Sequence, residues 1–195
     1  MDSKISIRLS PVLCILLALM LLILPLKWII AAIIAAAYHE FCHIAAIQFL
    51  GGNIRKFTLS TNGANLHIDA LPPVHELICS LAGPLGGLSL LFFAKWIPRV
   101  AICAALQSMY NLLPIYPLDG GRALWCGMSL FLPAKITAKM CKIVEILCIT
   151  GILLIAVYAA VFLKLGISAF FPAILIVTHT KFRKTPCKES PQRLQ

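Results

Sequence analysis

The sequence predicts an all-α polytopic membrane protein with about six transmembrane helices. Of its 195 residues, 61% are apolar and 12% are charged, whereas soluble domains have about 45–50% and about 25%. A spanning helix takes about 20 apolar residues, and about 30 with its loop, so a chain of this length holds about six. We therefore expect a single transmembrane domain, residues 1–180, and a short basic cytoplasmic tail, residues 181–195, with no separate soluble domain.

The predicted spans are six apolar runs, and the basic residues orient them. The runs are residues 9–24, 28–50, 74–94, 97 to about 115, 143–163 and 165–178. Since the last run is short for a span, the charges have to decide the number. With six spans and a cytoplasmic N-terminus, 13 of the 17 Lys and Arg residues lie inside and 4 lie outside. Positive residues favour the cytoplasmic side, so we predict an integral, multi-pass protein of a bacterial cytoplasmic membrane with both termini in the cytoplasm.

The formal charge of +10 indicates a lipid partner. In a soluble protein such a charge would suggest nucleic acid, but here the basic residues flank apolar runs. Basic residues in that position contact anionic lipids. We therefore expect a bilayer with anionic lipids as a partner, and no nucleic acid.

Two connections between spans have structure of their own. Asn62-Gly63 favours a type I′ turn and is flanked by alternating apolar and polar residues, which predicts a small β-hairpin after the second span. The alternating apolar residues are Phe57, Leu59, Leu66 and Ile68. Between the fourth and fifth spans, the apolar piece 123–132 is too short to cross. It predicts an interfacial segment or a continuation of the fourth helix.

The second span contains His39-Glu40-Phe41-Cys42-His43, which fits H-E-x-x-H. Residues four apart on a helix project from one face, so both imidazoles can reach one Zn²⁺. Glu40 lies beside them, where it can act as the general base towards water. The alternative is that the histidines are hydrogen-bonded packing groups, but this would leave Glu40 needing its own partner in an apolar span.

A second His-Glu pair, His75-Glu76, has the same beginning but a cysteine, Cys79, at the last position. It follows two prolines at the membrane boundary. A helix N-terminus favours Glu there, so capping and solvation explain this pair better than a metal site does.

Asp119 is the best candidate for the third zinc ligand, because a catalytic zinc usually has three protein ligands and water. It follows a proline-containing segment at the inner end of the fourth span, which runs parallel to the second, so it can meet His39 and His43. By itself, Asp119-Gly120-Gly121 is typical of a turn. Together with H-E-x-x-H, it favours a ligand.

These residues resemble the site-2 protease family of membrane-embedded zinc metalloproteases. The family has H-E-x-x-H in one span and an N-x-x-P-x-x-P-x-D-G-type segment in a later one, here residues 111–120, and residues 82–85 match a third segment between them. Without an inserted PDZ domain, the compact arrangement is most similar to the stage IV sporulation protein FB type. The resemblance implies one Zn²⁺ per chain with His39, His43 and Asp119 as ligands and Glu40 as catalytic base.

The resemblance also implies regulated intramembrane proteolysis, of the sporulation type, near the cytoplasmic face. We expect a membrane-associated or single-span protein substrate and a regulatory membrane partner. Asn111 is expected to support Asp119 by a hydrogen bond or to bond to a neighbouring helix. The Asn62-Gly63 hairpin either offers an edge strand to the substrate or is a plain surface connection.

Two other function classes are open to the same residues. A non-catalytic membrane scaffold could use the fold to hold partners, although it would not need Glu40. A metal transporter could use the two histidines and Asp119 as a transit site, but residues 29–37 in the outer half of the second span offer no polar path.

Overall fold

Helices make up most of the chain that the computed structural model describes, which is residues 6–7, 24–52, 54–60, 63–68 and 71–162. A 3₁₀ helix, Leu90–Phe93, continues the second of the described helices. The five α-helices are α1 (Leu26–Phe49), α2 (Pro73–Ser89), α3 (Pro98–Asn111), α4 (Asp119–Ser129) and α5 (Ala134–Phe162). The three strands are β1 (Ser6–Ile7), β2 (Ile54–Ser60) and β3 (Gly63–Ile68).

Three of the described helical segments are long and apolar enough to cross a membrane: Leu26–Phe49, Pro73–Phe93 and Ala134–Phe162. The first two lie within two residues of the predicted second and third spans at each end. The predicted first and sixth spans lie, apart from Leu24, outside the described residues.

Helix α3 is shorter than the predicted fourth span, because it ends at Asn111 instead of near residue 115. Pro114 lacks an N–H and disfavours helical geometry in the residue before it. At about 1.5 Å per residue, the 14 residues of α3 extend about 21 Å, less than the thickness of a bilayer core. A non-helical segment, residues 112–118, separates α3 from α4. Of the two alternatives predicted for residues 123–132, the continuation of the fourth helix is therefore wrong.

Helix α5 begins at Ala134, nine residues before the predicted fifth span at residue 143. Its first turns contain Lys135, Lys139 and Lys142, which hydropathy assigns to a loop. Lysine is nevertheless a good helix former, so the apolar run marks only the lipid-compatible part of a longer helix.

Strands β2 and β3 pair antiparallel, with Thr58 opposite Asn65. This is the connection where the alternation predicts a hairpin. On its other edge β2 pairs in parallel with β1, where Ser6 lies opposite Thr58, so β2 is the central strand. Asn62 lies outside the described residues, and the type I′ turn stays a prediction.

Small residues line the contacts between the helices, as is common in membrane proteins. Helix α2 packs against α1, α3 and α4, and α1 also packs against α3. Large apolar side chains of α1 are exposed on the opposite side, including Ile30, Ile33 and Ile34. Besides Ile29, the buried residues of α1 form one stripe with a residue at every fourth position: Ala31, Ala35, His39, His43 and Ile47.

Candidate metal centre

The two histidines of the H-E-x-x-H sequence lie on the buried stripe of α1. His39 is 2% exposed and His43 is 9% exposed. Their Nε2 atoms are 3.1 Å apart. A helix places residues i and i+4 side by side, which brings both rings to one point in the helix interface.

Asp119, the first residue of α4, completes this cluster from another helix. Its Oδ2 atom lies 3.1 Å from His39 Nε2 and 3.2 Å from His43 Nε2. Ligand atoms at about 2.0–2.1 Å from a tetrahedral Zn²⁺ are about 3.3 Å apart, so the three atoms have nearly the spacing of such a site. These three residues could hold a metal ion.

The segment before Asp119 packs closely against the start of α4. A Cβ atom on Gly121 would lie 2.5 Å from the backbone of Ile115 and Tyr116, and one on Gly120 would overlap the carbonyl of Leu112. Only glycine therefore fits at these two positions. This close approach places Asp119 at the N-terminus of α4, facing α1.

Asp119 is a carboxylate, the form that binds a cation. Burial acts to raise the pKa of Asp119, but the hydrogen bonds from His39 and His43 outweigh burial and lower the pKa to about 2. A divalent cation at this point would replace the protons that the imidazoles share with the carboxylate.

Helix α2 fixes the orientation of His43. The Nδ1–H group of His43 donates a hydrogen bond of 2.7 Å to the carbonyl oxygen of Cys79. Once Nε2 gives up the proton it shares with Asp119, the neutral ring presents the Nε2 lone pair towards Asp119 and His39, as a metal ligand requires. Gly83 lies against the same ring, and a Cβ atom there would overlap it.

His39 is held differently. Within the described part of the chain, its buried Nδ1 atom has no hydrogen-bond partner. The amide nitrogen of Asn111 lies 3.2 Å from His39 Nε2. Of the two contacts expected for Asn111, the structure places its amide against the neighbouring helix α1 and records no bond to Asp119.

Glu40 follows His39 in α1 and is partly exposed, whereas the two histidines are buried. Glu40 is thus the chain neighbour of one candidate ligand and lies partly outside the buried interface. A group with this placement can exchange protons with water, as a general base must.

The structure thus brings together His39, His43, Asp119 and Asn111, and Glu40 adjoins them on α1. It places Gly63 at the start of β3, and Asn62 lies outside the described residues. Sequence reasoning missed the Cys79 carbonyl and the contact of Gly83 with His43. A backbone acceptor has no sequence signature, and Gly83 is noted from the sequence only as part of the 82–85 segment that matches the family.

No family model matches the chain. The chain is 30% identical over 147 residues to Stage IV sporulation protein FB of Bacillus subtilis (strain 168). The match covers 68% of this chain and 51% of that protein. The chain thus spans about half the length of this curated relative.

The solved structure of the Site-2 Protease from Methanocaldococcus jannaschii has a similar fold. The TM-score is 0.58, the sequence identity is 19%, and the match covers 89% of this chain and 88% of that one. At this identity the likeness concerns the fold. The curated relative and the fold support the same family for this chain, the site-2 proteases.

Proposed function

We propose that this protein is an intramembrane zinc metalloendopeptidase that hydrolyses a peptide bond of a membrane-associated or single-span substrate near the cytoplasmic face. The observation that carries the proposal is the convergence of His39, His43 and Asp119 beside Glu40. A site that only held a metal for structural reasons would not need a partly exposed carboxylate next to its ligands.

Each residue has a distinct role in this proposal. When bound, Zn²⁺ supplies Lewis acidity and lowers the pKa of water to about 7. The carboxylate of Glu40 accepts a proton from the attacking water and delivers it to the amine of the leaving chain. With neutral imidazoles, the carboxylates of Asp119 and Glu40 balance the charge of a divalent ion, which lowers the cost of burying the set.

The topology is part of the proposal. Six spans with both termini in the cytoplasm would place the C-terminal half of α1, with His39 and His43, and the following strand β2 at the cytoplasmic side. Such a location fits a protease that releases a cytoplasmic product. The bacterial relative supports a bacterial cytoplasmic membrane, and its name is the reason to propose a sporulation-type role. A regulatory membrane partner is part of the same proposal.

We also propose that the sheet presents the substrate to the site in an extended form, with the turn that the sequence predicts at Asn62-Gly63 joining its two longer strands. In a helical substrate, the scissile peptide bond is shielded by hydrogen bonds within the helix. In a substrate segment that adds as a strand to a sheet edge, those helical hydrogen bonds are broken and the peptide bond is accessible. Leu59→Pro would remove a backbone donor from β2, the central strand, and so weaken the sheet that the substrate would join. We therefore expect slower cleavage with unchanged zinc binding. Unchanged cleavage in this variant would contradict a role for the sheet.

Glu40→Gln tests the proposed function directly. The amide keeps the size of the side chain but cannot accept the proton, so we expect cleavage to fall about 10²- to 10⁴-fold while zinc stays bound. The assay is co-expression with a panel of single-span membrane proteins, followed by quantification of precursor and product. Glu189→Gln, in the tail, is the matched carboxylate-to-amide control and should cleave normally.

Three outcomes would contradict the proposal. Cleavage unchanged by Glu40→Gln would show that Glu40 is not the base. Capture of membrane proteins without cleavage by the wild type would favour a scaffold, and passage of Zn²⁺ into vesicles containing the protein would favour a transporter.

A further inference from the structure

An ion pair joins the first turns of α2 and α4 outside the metal cluster. Arg122 Nη2 lies 3.8 Å from Glu76 Oε1, and both side chains are 41% exposed. Glu76 is the residue that sequence reasoning assigned to helix capping. It does lie in the first turn of α2, but it also faces a cation on another helix.

The two helices approach each other through matching faces. Glu76, Cys79 and Gly83 follow the i, i+3, i+7 spacing of one face of α2, and Asp119 and Arg122 are three residues apart on α4. Cys79 and Gly83 both contact His43. One face of α2 therefore contacts α1 through Cys79 and Gly83, and contacts α4 through Glu76.

Arg122 belongs to the same turn as Asp119. Its backbone N–H donates a hydrogen bond of 3.0 Å to the carbonyl of Leu118, which closes the first turn of α4 around Asp119. The contact of the Arg122 side chain with Glu76 therefore restrains the helical turn that contains the candidate ligand Asp119.

We infer that Glu76 and Arg122 are positioning residues that hold Asp119 at the correct distance from His43. Helix α2 is the common reference, because it orients His43 through the Cys79 carbonyl and α4 through the ion pair. The inference rests on the proposed metal site and extends it to residues that touch no ligand atom of the site.

The zinc affinities of Glu76→Gln, Arg122→Gln and the double variant test this role. If the pair positions Asp119, either single variant breaks the same link, and we expect both to bind zinc about 1.4- to 5-fold more weakly, the range measured for exposed ion pairs. The double variant should be no weaker than a single one, because the link can be lost only once. Arg122→Lys keeps the charge and should restore most of the affinity.

A purely electrostatic effect would give a different pattern. Glu76→Gln would leave a positive charge near the cation and weaken binding, whereas Arg122→Gln would leave a negative charge and strengthen it. Opposite directions, additive losses or no change would each overturn the inference. Lys139→Gln, an exposed position on α5, controls for the loss of one positive charge.

Two further measurements separate the possible causes. The unfolding temperature of the zinc-free variants should stay near that of the wild type, since a merely structural role would lower it in step with affinity. If the wild type itself binds no zinc, the proposed function fails. If the wild type binds zinc and cleaves, but both single variants and the double variant bind zinc as tightly as the wild type, only the positioning role fails.

Discussion

Helices α2 and α5 are both apolar enough to cross a membrane, yet they have opposite relations to the site. The most apolar 18-residue window of Pro73–Phe93 has a mean hydropathy of 1.6 and is 33% buried, whereas that of Ala134–Phe162 has a mean hydropathy of 2.5 and is 11% buried. Helix α2, which has the lower hydropathy, is the more buried of the two because it packs against three other helices. High hydropathy marks contact with lipid here, whereas small and polar residues mark the helix that shapes the site.

Glycine shows the same difference at the level of single atoms. On α2, a Cβ atom at Gly83 would overlap the ring of His43, and one at Gly87 would overlap the hydroxyl of Ser108. On α5, a Cβ atom at Gly151 would meet nothing within 4 Å. The same substitution is therefore expected to have very different effects on the two helices.

Gly83→Ala should have the largest effect. The added methyl group would displace the His43 imidazole and strain its hydrogen bond to the Cys79 carbonyl. We expect zinc affinity to fall about 10- to 100-fold, as when groups supporting a metal ligand are removed, and cleavage to fall with it. Competition with a chelator of known affinity measures the loss.

Gly151→Ala is the matched control on α5 and should leave zinc affinity unchanged. Normal zinc binding by Gly83→Ala would contradict the contrast between the helices. So would a comparable loss in both variants, because it would indicate a general sensitivity to added volume.

Gly87→Ala should have a smaller effect, on stability instead of metal binding. Its methyl group would press on Ser108 and separate α2 from α3, which we expect to lower the free energy of unfolding by about 1–3 kcal/mol. Ser108→Ala in the same chain should recover part of this loss, since it removes the hydroxyl that the methyl group meets. Unfolding in mixed detergent micelles measures the difference, and an unchanged value for Gly87→Ala would contradict the close packing.

The H-E-x-x-H pair could be predicted from sequence because its geometry is local. The spacing of a helix alone places His39 and His43 on one face. Asp119 could be predicted because a catalytic zinc needs a third protein ligand and because the fourth span runs parallel to the second, and the structure places it beside both imidazoles.

The supporting contacts could not be predicted because they depend on how α2 packs. The Cys79 carbonyl is a backbone group that any residue would supply. Glu76 and Arg122 are 46 positions apart in the sequence, and each has a local explanation that is sufficient by itself. Only the packing of α2 on α4 brings them together.

Helix boundaries were predicted well where apolar runs and helices coincide, as for α1 and α2. They were predicted less well where other physics decides the end. Pro114 ends α3 before the apolar run of the fourth predicted span is complete. In α5, helix-forming lysines let the helix begin nine residues before the apolar run of the fifth predicted span. Hydropathy measures compatibility with lipid, whereas backbone hydrogen bonding determines where a helix begins and ends.

The central claim is that three side chains from two helices hold one zinc ion beside Glu40, and the zinc content of the purified protein tests it most directly. We predict about one zinc per chain in the wild type and in Glu40→Gln, and little zinc in His43→Ala and Asp119→Ala that remain folded. A wild type that takes up no zinc, or an Asp119→Ala variant that binds it as tightly as the wild type, would contradict the claim.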